Sequence, residues 1–418
     1  MSAPARVNLR TPEVMAHVQA QVEHHYQSPL VDSIKEAGGT LTVGRTTIRL
    51  AREFGFCYGV ERAIDLAYAA AKVFSGRRIF LLGEIIHNPD VNAQMRELGI
   101  RYLAVHSSDA DLEGLGPDDV VVIPAFGAEV QVVEAIKARG CSLVDTTCGD
   151  VMSVWKRVRQ NASEGVTSII HGKATHEETQ ATASRALGTA GNGHFLVVLD
   201  LREAEIVADF LRCGGDPRAF LETFRGKTSA GFDPLRHLQR IGVANQTTML
   251  RSETEAIQQL LRNAVLQRDG GENGHFRFFD TICGATQDRQ DALFNLLESP
   301  PDLLLVVGGY NSSNTTHLVE IGSSVVSTWF IRNATCLLSA QEILHYDIHS
   351  KSEIASSGWL RRDIPLSIGI TAGASCPNNL IEETILRILE LRGEPPPPKR
   401  GETLDTQEKD VAWRRLTK

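Results

Sequence analysis

Three stretches of this chain repeat one local pattern. FGFCYGVERAI, DTTCGDVMSVW and DTICGATQDRQDAL each set a cysteine (Cys57, Cys148, Cys283) just ahead of a stretch with helical apolar spacing, with glycine within two residues. Between 24 and 26 residues after each cysteine an apolar run ends in glycine, at Gly83, Gly172 and Gly308. Runs this short, apolar and turn-terminated predict buried parallel strands. A second loop recurs in VVVIPAFGAEVQVVEAI, RIGVANQTTMLRSETEAI and LSIGITAGASCPNNLIEETI, each reading strand, small polar turn, helix. The chain is therefore expected to be α/β, built from three divergent units. Each unit offers one cysteine and two polar loops at strand C-termini, the edge where open α/β sheets bind ligands.

The expected divisions are an N-terminal extension over residues 1–44, with a helix in EVMAHVQAQVEHHY, and units over 45–140, 141–270 and 271–393. A Pro-rich, extended tail covers 394–418, where RGEPPPPKRGE carries four consecutive prolines. The 418 residues suffice for such a composite. Net charge is −8 with both signs interspersed, which argues against a nucleic-acid groove as the main business. No run of about eighteen apolar residues predicts a transmembrane helix. The N-terminus has no signal-type apolar core, and its acids (Glu13, Glu23) do not resemble a transit peptide. Seven cysteines, odd in number and without a CxxC pair, fit a reduced compartment, with the cytoplasm as default.

If the strand ends converge, Cys57, Cys148 and Cys283 meet at a common centre. Two metals suit three thiolates without an obvious fourth: zinc with an added histidine, or an iron–sulfur cluster with one iron lacking a protein thiolate. The long separations in sequence count against a structural zinc. Cys141, Cys213 and Cys336 lack the repeated context and are read as structural, while Cys376 lies beside a ligand loop.

The six loops supply His87 and Asn88; Phe126 and Gly127; His176, Glu177 and Glu178; Gln246, Thr247 and Thr248; Ser312, Ser313 and Asn314; and Ser375. Hydroxyl, amide and imidazole donors near helix starts suit a compact phosphate or carboxylate. Histidines on equivalent loops, one beside a carboxylate, suggest acid–base chemistry. Glu177 and Glu178 are adjacent and cannot face the same point, so one is expected to cap or meet solvent.

Taken in order between about Ile48 and Leu391, GFCYGVERA, GEIIHN, DTTC, HGKATHEET, NQTT, TICGAT, NSSN and TAGAS resemble the 4-hydroxy-3-methylbut-2-enyl diphosphate reductases, the LytB/IspH family. The wording is nearest the plant and cyanobacterial branch. The resemblance implies a trefoil of three α/β domains around a central 4Fe–4S cluster held by Cys57, Cys148 and Cys283. It implies Glu178 in proton supply and His87, His176, Ser312, Ser313, Asn314 and Ser375 around the diphosphate. Thr247 would sit beside the substrate hydroxyl, with Gln246 and Thr248 close by. The implied reaction is the last step of the methylerythritol phosphate isoprenoid pathway, an oxidoreductase fed by ferredoxin or flavodoxin. Phe126 departs from the histidine that many bacterial members carry, so Lys173 or a backbone amide would have to replace that donor. The competing readings are a redox-neutral cluster lyase of the quinolinate synthase type and a non-catalytic cluster sensor.

Overall fold

The computed structural model describes residues 8–104 and 112–397. Three sheets carry the chain. The first runs Arg101–Leu103, Ile79–Leu82, Val120–Ile123, Ser142–Asp145, all parallel. The second runs Phe195–Val198, Thr167–His171, Ile241–Asn245, Phe276–Phe278, again parallel. The third runs Thr328–Ile331, Leu303–Val307, Leu366–Ala372, Thr46–Leu50, with Thr40–Val43 antiparallel at the outer edge. In each sheet the strand that follows a cysteine helix lies second, with the next strand on one side. On the other lie the later two strands in the first two sheets, and in the third Leu366–Ala372 followed by Thr46–Leu50 from the start of the chain. The repeat seen in the sequence is thus one winding used three times.

Parallel pairing demands crossovers, and the crossover helices bury both faces of each sheet. That is why VVVI (Val120–Ile123) and LLLVV (Leu303–Val307) are apolar throughout and fully buried. Each sheet nucleates its own apolar core, around Leu81 and Val122, Ile169 and Val243, and Leu305 and Ile370.

The strand leading into each cysteine belongs to the sheet before it. Ser142–Asp145 completes the first sheet and leads to Cys148; Phe276–Phe278 completes the second and leads to Cys283. Thr46–Leu50 completes the third sheet and leads to Cys57, so the start of the chain closes its end. Borders drawn at 140/141 and 270/271 therefore run one strand ahead of the sheets, because periodicity marks a strand without naming its partner. The expected N-terminal helix is Pro12–Tyr26, capped by the Thr11 side chain and packed on the helix Tyr58–Val73. There Tyr68 donates to the Tyr26 hydroxyl at 3.2 Å. Thr40–Val43, inside the expected extension, is already part of the third sheet. The hairpin Glu342–Asp347 with Ser352–Ser357 is an addition to the third unit. Residues 398–418, most of the expected tail, lie outside the described residues. Among the described residues no helix is long and apolar enough to cross a membrane.

Candidate active site

A cavity with about 760 Å³ of empty space opens where the three units meet, and all three repeated cysteines line it. Their backbone placement is equivalent. The Cys57 N–H donates to Ala374 O at 3.3 Å, that of Cys148 to Ala125 O at 2.8 Å, and that of Cys283 to Thr247 O at 3.2 Å. Each acceptor belongs to the second recurring loop, which pins the cysteine to the neighbouring strand end. Each cysteine is also the N-cap of its helix: Tyr58–Val73, Gly149–Ser163 and Gly284–Leu297. His176 and Ser312 cap two further helices, Glu177–Ala186 and Ser313–Ser323, whose first turns also face the cavity. Five helix N-termini thus aim their positive dipole ends at one space, a setting for bound negative charge.

Gly59 explains how closely the cysteines come together. A Cβ there would lie 2.6 Å from Cys148 Sγ and 3.9 Å from Cys57 Sγ. The missing Cβ clears room for the Cys148 sulfur. Burial pushes the Cys148 thiol up and that of Cys283 to about 11, the latter against hydrogen bonds from Thr286. Such thiols keep their protons until a cation displaces them. A single zinc at ~2.3 Å from each sulfur would draw three sulfurs to within roughly 4 Å of one another. Among the described residues the only three donors within 4.8 Å of one another are on His87, His176 and Glu177, so the cysteines stand wider than one ion requires. A polynuclear centre fits that spacing and the all-thiol donor set.

Glu178 is 3% exposed. Its Oε1 accepts from Thr247 N at 2.6 Å and its Oε2 from Thr247 Oγ1 at 3.0 Å. Burial nevertheless dominates and raises its carboxyl to about 7. The His176 Nδ1 accepts from Glu178 N at 3.1 Å, which leaves the ring proton on Nε2. Burial, with His87 and Lys173 nearby, holds His176 well below its usual range and hence neutral. His87 Nδ1 lies 3.2 Å from Glu84 Oε2, while its Nε2 is buried without a partner. Asn314 accepts from Ala374 N at 3.0 Å through Oδ1 and likewise leaves a buried, unpartnered Nδ2. Orphaned buried polar atoms are rare without a missing partner, and both these residues line the cavity.

Ser312, Ser313, Thr247, Thr248 and Ser375 also line it, with Ser375 Oγ donating to His87 O at 3.2 Å. Gln246 does not. Its Oε1 accepts from Lys173 N and Thr179 Oγ1, and its Nε2 donates to Thr248 and Ser313, so its amide is used up in bracing the loops. Glu177 is the one of the pair that meets solvent, with its side chain 30% exposed, and its Oε2 reaches to 3.8 Å from His87 Nε2. Lys173 is absent from the wall, and Phe126 takes the third position as a ring stacked on His87, with centroids 4.7 Å apart and planes 8° off parallel. Cys376 is buried outside the cavity, near Pro377 O. Cys141 and Cys336 are buried, but Cys213 is exposed. Tyr58, Asp150 and Thr286 went unnoticed in the sequence, though each lies within three residues after a repeated cysteine. Thr286 Oγ1 is 3.2 Å from Cys283 Sγ, and the Cys148 thiol donates weakly to Tyr58 Oη at 3.8 Å.

Residues 48–389 match the LytB protein family over most of the chain. This chain belongs to the LytB family. Among curated relatives of this LytB-family chain is the 4-hydroxy-3-methylbut-2-enyl diphosphate reductase of Gloeobacter violaceus, 48% identical over 90% of this chain and 91% of the relative. The enzyme of the same name from Thermosynechococcus vestitus is 46% identical over 90% and 92%. A solved structure of (E)-4-hydroxy-3-methyl-but-2-enyl diphosphate reductase, described as the terminal enzyme of the non-mevalonate pathway, superposes with a TM-score of 0.51. It is 27% identical and covers 84% of this chain and all of that one. The Plasmodium falciparum reductase structure, at 21% identity, gives a TM-score of 0.60 over 88% and 99% and shows the shared fold.

Proposed function

We propose that this chain reduces (E)-4-hydroxy-3-methylbut-2-enyl diphosphate to isopentenyl and dimethylallyl diphosphate, the last step of the methylerythritol phosphate pathway, in the cytoplasm. The observation that carries the reading is the meeting of three thiols from three units with a proton-bearing carboxyl, Glu178, and unpartnered donors in one cavity. The balance is R–OH + 2 e⁻ + 2 H⁺ → R–H + H₂O, with R the allylic diphosphate.

Cys57, Cys148 and Cys283 would hold one 4Fe–4S cluster, which supplies single-electron reduction and an iron without a protein thiolate. His87 Nε2, His176 Nε2, Asn314 Nδ2 and the hydroxyls of Ser312, Ser313 and Ser375 would bind the diphosphate, helped by the helix starts. That grip orients the allylic alcohol toward Thr247 and Glu178. Glu178, near pKa 7, is suited to hold a proton and release it to the departing hydroxyl at neutral pH. Thr247 Oγ1 keeps that carboxyl aimed. Apolar neighbours Ile86, Val151 and Phe126 exclude water from the allyl chain.

The relatives and structures named above are all reductases, and none favours the lyase or sensor readings. Anaerobic purification with iron and sulfide quantification, followed by assay with reduced methyl viologen and the hydroxylated diphosphate, tests the proposal. The expected result is about four iron per chain and both C5 products. Product formed without reductant would overturn it in favour of a lyase.

A further inference from the structure

We propose that the exposed basic face of the helix Gly149–Ser163, with Tyr58 at its start, is the docking surface for a small, acidic one-electron carrier. The inference rests on the reductase reading, because each turnover consumes two electrons and the chain has no recognisable flavin or nicotinamide motif to store them.

Two observations converge on this face. The first is access. The Tyr58 hydroxyl lies 3.8 Å from Cys148 Sγ, and its ring is 55% exposed. The same hydroxyl is 3.8 Å from where a Gly149 Cβ would sit, so the ring spans sulfur and surface at the helix start. Met152, one turn on, is 44% exposed. Large apolar side chains left open beside a buried reaction centre are the kind of patch that a transient partner covers.

The second is charge, and the repeat supplies its own control. The three cysteine helices are equivalent in topology, yet their exposed faces differ. On Tyr58–Val73 the exposed Glu61 and Lys72 and the half-buried Arg62 and Asp65 balance one another, and on Gly284–Leu297 Asp288 and Asp291 are exposed while Arg289 is buried. On Gly149–Ser163 the exposed charged positions are Lys156, Arg157 and Arg159, and the sole acid, Asp150, is half-buried beside Tyr58. Met152, Lys156 and Arg159 are spaced by four and three residues and share one stripe. In a chain of net charge −8 this is a local positive field next to a cluster sulfur. An acidic carrier would meet no net positive face on the other two cysteine helices and be steered to this one. Each docked carrier gives up one electron and is oxidised by one; two dockings complete one turnover.

The test uses holoenzyme and an acidic plant-type ferredoxin. Binding of oxidised ferredoxin is measured by surface plasmon resonance at low and high salt for the parent chain and for the double variant Lys156→Glu/Arg159→Glu. Arg202→Glu, on a remote helix, is the control. The expected result is an affinity at least tenfold weaker in the double variant, with a flattened salt dependence and no change in the control. Its kcat/KM for reduced ferredoxin should fall by a similar factor while viologen-driven turnover is unchanged. Unaltered ferredoxin binding and kcat/KM in the double variant would overturn the docking assignment. Absence of viologen-driven turnover in the parent would instead overturn the reductase reading, and the binding measurement would still decide the docking.

Discussion

Glu178 and Thr247 hold each other twice, the carboxylate accepting both the backbone N–H and the hydroxyl of the threonine across two loops of one sheet. These bonds favour the charged form, yet burial outweighs them and keeps the carboxyl near pKa 7. Glu178→Gln preserves both contacts in shape and removes the proton. Its kcat should fall by roughly 10²–10⁴ with the cluster absorption intact. In the parent, turnover should decline as pH rises through 7.

The same burial has a stability cost with a definite sign. Glu178 binds its proton more tightly folded than unfolded, so the folded state loses stability as pH rises from about 4.5 to about 7. The glutamine variant lacks this loss. At pH 8, urea unfolding of the apoprotein should find Glu178→Gln more stable than the parent by up to about 3 kcal/mol. At pH 4.5 the two should match.

Gly59→Ala separates cluster binding from folding. Alanine is the better helix former, but its methyl would meet the Cys148 sulfur at 2.6 Å. The apoprotein should melt within a few degrees of the parent, while iron content after reconstitution falls by more than half. Cys148→Ser should lose iron as well, by removing the sulfur instead of displacing it.

Thiol reactivity should follow the burial of the site. In apoprotein at pH 8, iodoacetamide should label the exposed Cys213 first and Cys283 slowly, with Cys283 labelling still climbing toward pH 11. Peptide mass spectrometry over a pH series reads this directly. With the cluster bound, Cys283 should not label at all.

Phe126 is expected to act through His87. Phe126→Ala removes the ring stacked at 4.7 Å and frees the imidazole to turn. KM for the diphosphate should rise about tenfold, with a smaller change in kcat. Steady-state kinetics on iron-replete enzyme gives the split.

Much of this could be read in the sequence because the fold uses one plan three times. Cys57, Cys148 and Cys283 announced themselves by matched spacing to Gly83, Gly172 and Gly308, and the recurring loops marked the strand ends. Glu178 was legible through resemblance, since nothing in HEET alone says which acid turns inward. That choice is made by Thr247, 69 residues away. The bracing role of Gln246 was hidden for a similar reason: a polar residue in a ligand loop can face the ligand or brace the loop, and three of its four partners are distant in sequence. The Phe126 stack and the exchange of strands between neighbouring units were invisible because both are contacts between segments, which local periodicity cannot encode.

That exchange bears on how the molecule is made. Thr46–Leu50 is synthesised early, but its parallel neighbour Leu366–Ala372 leaves the ribosome more than three hundred residues later. Until then Thr46–Leu50 has only its hairpin partner Thr40–Val43, and Cys57 has no Ala374 carbonyl to fix it. The third sheet and the triangle of thiols are therefore completed in the same late event, so a chain stalled before residue 366 could neither close its ring nor fix Cys57 beside the other two thiols.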